Sequence, residues 1–111
     1  MQDPGAMTEQ ITLQAPVQGK GTGGGPTTSW VDLRTNVWAR KLSERAVEVF
    51  AANTTLAKAE VGFAIRWWPD SPLDARHRFL YGGRIFNIVS VVESERRTEI
   101  VVLGVAGANR G

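Results

Sequence analysis

The chain has 111 residues, no cysteine and a formal net charge of +2, which suits one domain and excludes disulfides, cysteine-ligated metal centres and thiol catalysis. Its 13 basic and 11 acidic residues form no long run of like charge, so the concentrated basic stripe of a nucleic-acid binder is missing. No segment has the length and apolarity of a membrane span, and we expect no membrane partner. Residues 1–6 precede a second methionine, Met7, and are expected to be a remnant of expression, which leaves residues 7–111 as a single domain.

The first regular pattern begins at Ile11, where apolar and polar residues alternate as far as Gln18. A period of two residues is typical of a half-buried strand. Pro16 lies within this pattern and cannot donate a backbone hydrogen bond. We therefore expect this strand to lie at an edge or to fray early.

A glycine-rich segment follows, and Gly19, Gly21 and Gly24 within it spell G-x-G-x-x-G. That motif binds a pyrophosphate only when it joins a strand to a helix whose first amides hold the phosphate. Here the segment runs into Pro26 and a strand-like pattern, so a nucleotide site is not expected. We expect residues 18–29 to form a flexible loop that becomes ordered on a partner.

Residues 27–42 read as a long strand with Trp30 and Trp38 on the face opposite its valines. Two interpretations are open. Either a bulge within residues 34–36 turns one tryptophan inward, or both tryptophans cover a partner. Because buried aromatics most often serve the core, the bulge is favoured.

One helix is predicted, with an apolar stripe that starts at Leu42 and ends at Phe50. Leu42, Ala46, Val49 and Phe50 have helical spacing. Ser43 is suited to cap the helix, and residues 53–55 are suited to end it.

The second half of the chain alternates strongly and predicts four more strands. Residues 60–67 form the clearest strand, residues 69–77 a flexible loop rich in proline, and Gly82-Gly83 a two-residue turn between strands. Strands over residues 78–81, 85–92 and 97–105 complete the set of four. The sequence thus predicts a mainly β fold, a small antiparallel β-barrel of about six strands with one short α-helix and long mobile loops.

No combination of residues in the chain predicts a catalytic, cofactor or metal site. His77 is the only histidine, and we expect it to be solvated. Glu93 with Glu95, or Asp70 with Asp74, would be carboxylate pairs in polar turns rather than across a cleft. The residues expected in the structural core are Val37, Phe63, Ile65, Trp67, Ile85, Ile88 and Val101.

Four segments together resemble the head-tail joining, or head-closure, proteins of long-tailed bacteriophages and prophages. They are W-V-D-L-R-T-N-V-W-A (residues 30–39), Glu48, F-A-I-R-W (63–67) and R-F-L-Y-G-G-R-I-F-N-I-V-S-V-V-E (78–93). The resemblance extends over residues 11–105. Phe79 and Phe86 stand where isoleucine and tyrosine are commoner, and the glycine loop is richer in glycine than usual.

The resemblance implies a non-enzymatic β-barrel that docks in many copies beneath the portal ring, closes the DNA channel after packaging and offers the surface for tail attachment. The implied partners are the portal protein, neighbouring copies in a ring and a tail or tail-terminator protein, with a possible contact to packaged DNA. The implied location is the virion, with assembly in the host cytoplasm. The residues expected to bind partners are Lys20, Gly21, Gly23, Gly24, Gly25, Trp68, Asp70 and Arg76.

The alternative is a small oligonucleotide-binding-like barrel that stacks single-stranded nucleic acid on its aromatic residues. Most aromatics here alternate in register with valine and isoleucine, as core residues do.

Two hypotheses follow from the connector interpretation. The glycine segment contacts the channel or an adjacent ring, with Lys20 facing DNA phosphates, and ring assembly is templated by the portal because the chain shows no large extra apolar stripe.

Overall fold

The computed structural model describes residues 7–20, 26–52, 59–94 and 96–107. Its elements are β1 (Glu9–Lys20), β2 (Pro26–Lys41), α1 (Glu44–Ala52), β3 (Val61–Arg66), β4 (Arg78–Tyr81), β5 (Arg84–Glu93) and β6 (Glu99–Ala106). Antiparallel neighbours close into a barrel in the order β1-β2-β3-β6-β5-β4. The prediction of a small six-stranded antiparallel barrel with one helix is confirmed. The expectation about residues 1–6 lies outside the described residues.

The barrel interior is filled by the inward-facing residues of every strand. Phe63, Phe79 and Phe86 form its aromatic centre, with Phe63 and Phe79 edge to face at 5.5 Å between ring centroids. Such pairs add stabilisation beyond the apolar area that they bury. The aliphatic part of the same core comprises Ile11, Leu13, Ile65, Leu73, Ile88, Ile100 and Val102.

The residues predicted for the core divide into three groups. Phe63, Ile65 and Ile88 are buried inside the barrel, and Val101 is buried on the outer side of the wall, beneath the helix. Val37 and Trp67 are half-buried and pack against the core, whereas Ile85 is half-buried outside it, which corrects the prediction for Ile85. Val37 adjoins a bulge and Trp67 follows the end of β3, so the wall covers them incompletely. Ile85 is paired with Leu80 and precedes the inward-facing Phe86, so it faces outward.

Helix α1 packs on the outside of the barrel wall. Ser43 caps it as predicted, since its Oγ accepts a hydrogen bond from the N–H of Ala46 at 3.1 Å. The buried face of the helix, Val47 and Ala51, contacts the outward side of β3 and β6. A Cβ on Gly62 would lie 2.9 Å from a Leu103 methyl carbon, so glycine at this position keeps the outer cluster closely packed. The predicted helix end at 53–55 lies outside the described residues.

The turn between β4 and β5 has the predicted geometry. Gly82 and Gly83 both adopt positive φ, at 59° and 79°, as a type I′ turn requires. The turn between β5 and β6 depends instead on a side chain. The Oγ of Ser94 accepts hydrogen bonds from the N–H groups of Thr98 and Glu99 at 2.9 and 3.1 Å.

Strands β1 and β2 extend well beyond the barrel as a two-stranded ribbon. They pair from Glu9 opposite Ala39 as far as Lys20 opposite Pro26. Strand β4 pairs with β1 only at residues 12–14, and β3 pairs with β2 only at residues 39–41. Residues 15–20 and 26–33 are called the arm below. The arm gives the molecule its elongated shape, 53 Å long and 29 by 27 Å across.

The arm corrects the expected loop at residues 18–29. Residues 18–20 and 26–29 are strand, because each is paired across the hairpin. Gly21–Gly25 lie outside the described residues, and their flexibility stays a prediction. Pro16 lies on an edge of the ribbon as expected, although β1 continues past it to Lys20.

Candidate interaction site at the base of the arm

The arm leaves the barrel at the end where the loop between β3 and β4 lies; this loop, residues 67–77, is called the closing loop below. At this end β3 and β5 finish and β4 and β6 begin. The loop contributes Leu73 to the core, and Trp67 and Trp68 pack against the core margin. Three of the four tryptophans, Trp30, Trp67 and Trp68, therefore lie at the arm end of the barrel.

A bulge in β2 marks where the arm begins. Between Ile11 and Gln14 of β1, the register of β2 shifts twice, and Asn36 nearby adopts a φ of 52°. The predicted bulge is confirmed, but it does not bring a tryptophan into the core. Trp38 is 55% exposed, and Trp30 is half-buried on the outer side of the sheet. Between these paired positions β2 has two more residues than β1. This bulge lets the arm change direction relative to the barrel wall.

Arg78 connects the barrel to the arm. Its guanidinium carbon lies 4.1 Å from the ring centroid of Trp30, a cation–π distance. Its Nε donates to the Gln14 side-chain oxygen at 2.7 Å, and the Gln14 amide nitrogen donates to Asp32 at 2.7 Å. These contacts join β4, β1 and β2 in one row of polar side chains, which orients the arm.

The rest of the Arg78 side chain has an unusual environment. It is 7% exposed, and its Nη1 atom is buried with no hydrogen-bond partner in the described part of the chain. Burial lowers the pKa of Arg78 from its ordinary value, because the charged form loses hydration. An unsatisfied buried donor costs free energy, so the stack on Trp30 and the bond to Gln14 hold this residue in place against that cost.

Arg34, the residue of β2 that follows the arm, contacts the loop between β3 and β4. Its guanidinium carbon lies 3.7 Å from the ring centroid of Trp68. We define the arm base as Gln14, Trp30, Asp32, Arg34, Trp68 and Arg78. Two arginine–tryptophan stacks and a shared glutamine thus connect the arm to the barrel and its loop.

The closing loop is organised around Asp74. This carboxylate accepts hydrogen bonds from the backbone N–H of Arg76 at 2.8 Å and from its guanidinium at 2.9 Å. These bonds, with a contact to the His77 ring at 2.9 Å, hold the pKa of Asp74 well below its ordinary value, and the largest cause is the Arg76 side chain. His77 is buried, so the expectation of a solvated histidine was wrong. The Asp74 carboxylate and the strand that follows bring it inward.

The described residues among those predicted to bind partners lie at this one end of the molecule. Trp68, Asp70 and Arg76 are on the closing loop, and Lys20 is the last residue of β1 in the arm. Gly21, Gly23, Gly24 and Gly25 lie outside the described residues. The residues that sequence reasoning missed are Gln14, Trp30, Arg34 and Arg78 as a connected group. No local pattern reveals them, because the group forms through pairing between strands far apart in the chain.

The arm base and the closing loop offer surfaces on which a partner can bind. Glu93, one of the weighed carboxylates, accepts a hydrogen bond from the Trp67 indole nitrogen at 2.7 Å. Among the described residues, no group of three or more histidine, cysteine or acidic side chains could hold a metal ion. The one helix in the described part of the chain is too short to cross a bilayer.

The chain was compared with families of known proteins and with solved structures. A family model described as phage head completion protein matches residues 2–105. The chain belongs to the phage head completion protein family. No curated protein matches it.

Two solved structures share the fold of this head completion protein. The solution structure of a protein from Shigella flexneri 2a is similar with a TM-score of 0.74 and 26% identity, over 96% of this chain and 97% of that chain. A chain in the virion of a native gene transfer agent particle is similar with a TM-score of 0.58 and 24% identity, over 90% of this chain and 96% of that chain. Because the gene transfer agent chain is only 24% identical, its similarity shows a shared fold and nothing more.

Proposed function

We propose that this protein is a structural virion component that joins the phage head to the tail, closes the DNA channel after packaging and provides the surface for tail attachment. The observation that carries the proposal is the head completion family match over residues 2–105. The occurrence of the same fold in a gene transfer agent virion supports it. In this role the protein binds its partners and closes the DNA channel, and it has no catalytic function.

The geometry suits a subunit of a ring. Copies in a closed ring must use heterologous contacts, in which one face of each copy meets a different face of the next. The barrel supplies a compact wall, and the arm supplies a projection that changes the shape of one end only. A two-stranded ribbon is marginally stable alone in water, so the arm gains stability when a partner covers it.

The proposed partners are the portal protein, neighbouring copies in the ring and a tail or tail-terminator protein. We assign the contact with the portal, an adjacent ring or the packaged DNA to the arm that ends at Lys20, to the Gly21–Gly25 segment that follows it in the sequence, and to the closing loop. The proposed location is the head–tail interface of the virion, with assembly in the host cytoplasm. We also propose that the portal serves as the template on which the ring assembles.

Single-strand binding is the less favoured function because three of the four tryptophans already contact an arginine, which leaves Trp38 as the one tryptophan with an exposed ring. Trp30 and Trp68 are each covered by an arginine, and Trp67 is bonded to Glu93 with Arg97 5.9 Å from its ring. A base would have to displace these contacts before it could stack. Binding of a short labelled oligonucleotide with steep salt dependence would favour this function instead.

The proposal is tested by adding purified protein to DNA-filled heads from a phage whose own copy of the gene is deleted. We expect such heads to lose DNA and to join no tails until the intact chain is added. A shortened-arm variant, with residues 17–29 replaced by Asn-Gly, keeps Pro16 opposite Trp30 and therefore keeps the arm base. It should fold and fail to restore DNA retention. Deleting Gly21–Gly25 alone should give the same defect in weaker form.

The control for folding is the circular dichroism spectrum and urea midpoint of each variant, which should match those of the intact barrel. Nuclease-resistant DNA and infectious titre are the two measurements. Heads that keep their DNA and join tails without the protein would refute the proposal. Full rescue by the shortened arm would refute the role of the arm while leaving the barrel's role intact.

A further inference from the structure

The arm has one apolar face that nothing in the described chain covers. Ala15, Val17 and Val31 lie on the same side of the ribbon, since Ala15 pairs directly with Val31. This side continues the barrel interior, because Leu13, two residues before Ala15, is fully buried. Yet Val17 is 42% and Val31 46% exposed. The arm therefore carries core-type residues beyond the point where the barrel can cover them.

The largest exposed apolar side chain of the described residues is on the barrel wall. Trp38 is 55% exposed, and its neighbour Ala39 is fully buried, so the indole points outward. Its surroundings are polar, with Gln10 directly opposite on β1 and Arg40 two residues along β2, where Arg40 is paired to Glu99 at 2.8 Å. An apolar centre with a polar rim is typical of a protein interaction site.

We propose that the apolar face of the arm packs on the Trp38 wall of a second copy of this chain. The inference rests on the proposed function, because a ring requires two different complementary faces on each copy. Of the four large hydrophobic residues that the described chain exposes, two lie on the arm face and Trp38 lies on the wall. The fourth, Val49, is on α1.

The reach of the arm allows this contact. From Ala15 to Lys20 the strand rises about 17 Å, directed away from its own barrel. The whole molecule measures 29 by 27 Å across its long axis, so an arm of about 17 Å spans more than half the width of an adjacent copy. The contact buries Val17 and Val31 of one copy against the Trp38 indole of the next. It thereby gives the marginally stable two-stranded arm a surface to pack on.

Cysteine cross-linking tests the contact directly, because the natural chain contains no cysteine. The variant Val17→Cys/Gln10→Cys places one thiol on the arm face and one beside Trp38, which itself is kept. The two positions lie seven residues apart on one strand, about 23 Å, so they cannot form a disulfide within one copy. Particles that carry this variant are oxidised and analysed on non-reducing gels.

We expect the double variant to give a ladder of dimers, trimers and higher species. A mixture of the two single variants should give dimers only, and each single variant alone should give monomers. Adding Trp38→Ala should reduce the ladder about tenfold or more, as loss of a central interface aromatic does. The matched control, Val49→Ala on the helix, should leave the ladder unchanged.

The other outcomes identify other occupants. Dimers from Val17→Cys alone would mean that arms pair with each other, and a cross-link to a different virion protein would assign the arm face to that protein. A double variant that enters particles and gives no ladder would also overturn the inference. If the chain is absent from particles, the proposed function fails, and oxidation of the concentrated purified variant then decides the inference by the same ladder.

Discussion

Strand β1 passes through two environments with one sequence pattern. Ile11 and Leu13 are buried in the barrel, whereas Val17 on the same side of the same strand is 42% exposed. The difference arises because β4 stops pairing with β1 at Gln14. Alternation therefore determines which side a residue faces, and neighbouring strands determine whether that side is covered. The barrel core is covered within one chain, whereas the apolar face of the arm stays uncovered among the described residues.

The largest expected effect that separates the two regions is on stability. Leu13→Ala should lower the free energy of unfolding by about 2 to 5 kcal/mol, because it leaves a cavity in a fully buried site. Val17→Ala on the arm should change it by no more than about 0.5 kcal/mol. Urea denaturation followed by tryptophan fluorescence measures both. Equal losses would show that the arm is part of the cooperative core.

A smaller effect is expected from two tryptophans of β2. Trp30→Ala removes the stack on Arg78, an interaction of about 0.5 to 2 kcal/mol when partly desolvated. We expect faster hydrogen exchange of arm amides and a modest loss of stability. Trp38→Ala removes an exposed side chain and should stay within about 0.5 kcal/mol of the natural chain. If Trp38→Ala slows assembly into particles while Trp30→Ala mainly loosens the arm, the two roles are separated.

Equal hydrogen exchange of the arm in the two variants would contradict the assignment of Trp30 to the arm base. A second variant, Arg78→Leu, checks the partner. It removes the same stack and also the unsatisfied Nη1, so we expect a smaller loss of stability than for Trp30→Ala together with the same increase in arm exchange.

The smallest effect is on the acid side of the pH profile and concerns the closing loop. The pKa of Asp74 is lowered in the folded protein from its ordinary value of 3.8, chiefly by the Arg76 side chain. A lowered carboxyl pKa stabilises the fold above pH 3.8, and this contribution is lost as the pH falls further. Because Arg76 is largely exposed, solvent screening keeps the contribution small.

Asp74→Asn should therefore be slightly less stable than the natural chain near about pH 7 and should approach it near about pH 2. Urea midpoints of the two proteins at each pH measure the difference. A difference that is the same at both pH values would show that the carboxylate charge is not its source. Arg76→Met provides the matched partner variant and should show the same convergence.

Local patterns predicted much of the barrel. Ser43 was recognised as the cap from its position before an apolar stripe, and its bond to Ala46 confirms this. Gly82 and Gly83 were recognised as a primed turn, because only glycine adopts two successive positive φ values without strain. The alternation over residues 60–67 predicted a strand with Phe63 and Ile65 in the core, and both are buried in β3. These features depend on residues adjacent in sequence.

Features that depend on distant pairing could not be predicted. The arm was expected to be a loop, because glycine and proline suggest turns, whereas backbone pairing with β2 makes residues 18–20 strand. The arm base joins Trp30 to Arg78, 48 positions apart in the chain, and strand register cannot be inferred from composition. Burial of His77 likewise depends on how the closing loop folds over the barrel end.

The most direct test of the central claim is an electron cryomicroscopy map of the head–tail junction in particles that contain this protein. We predict a ring of six-stranded barrels below the portal, each with its arm lying on the wall of the next copy near Trp38. A map in which the barrels are absent from this junction would contradict the account. A ring whose arms contact no neighbouring copy would contradict the inferred contact alone.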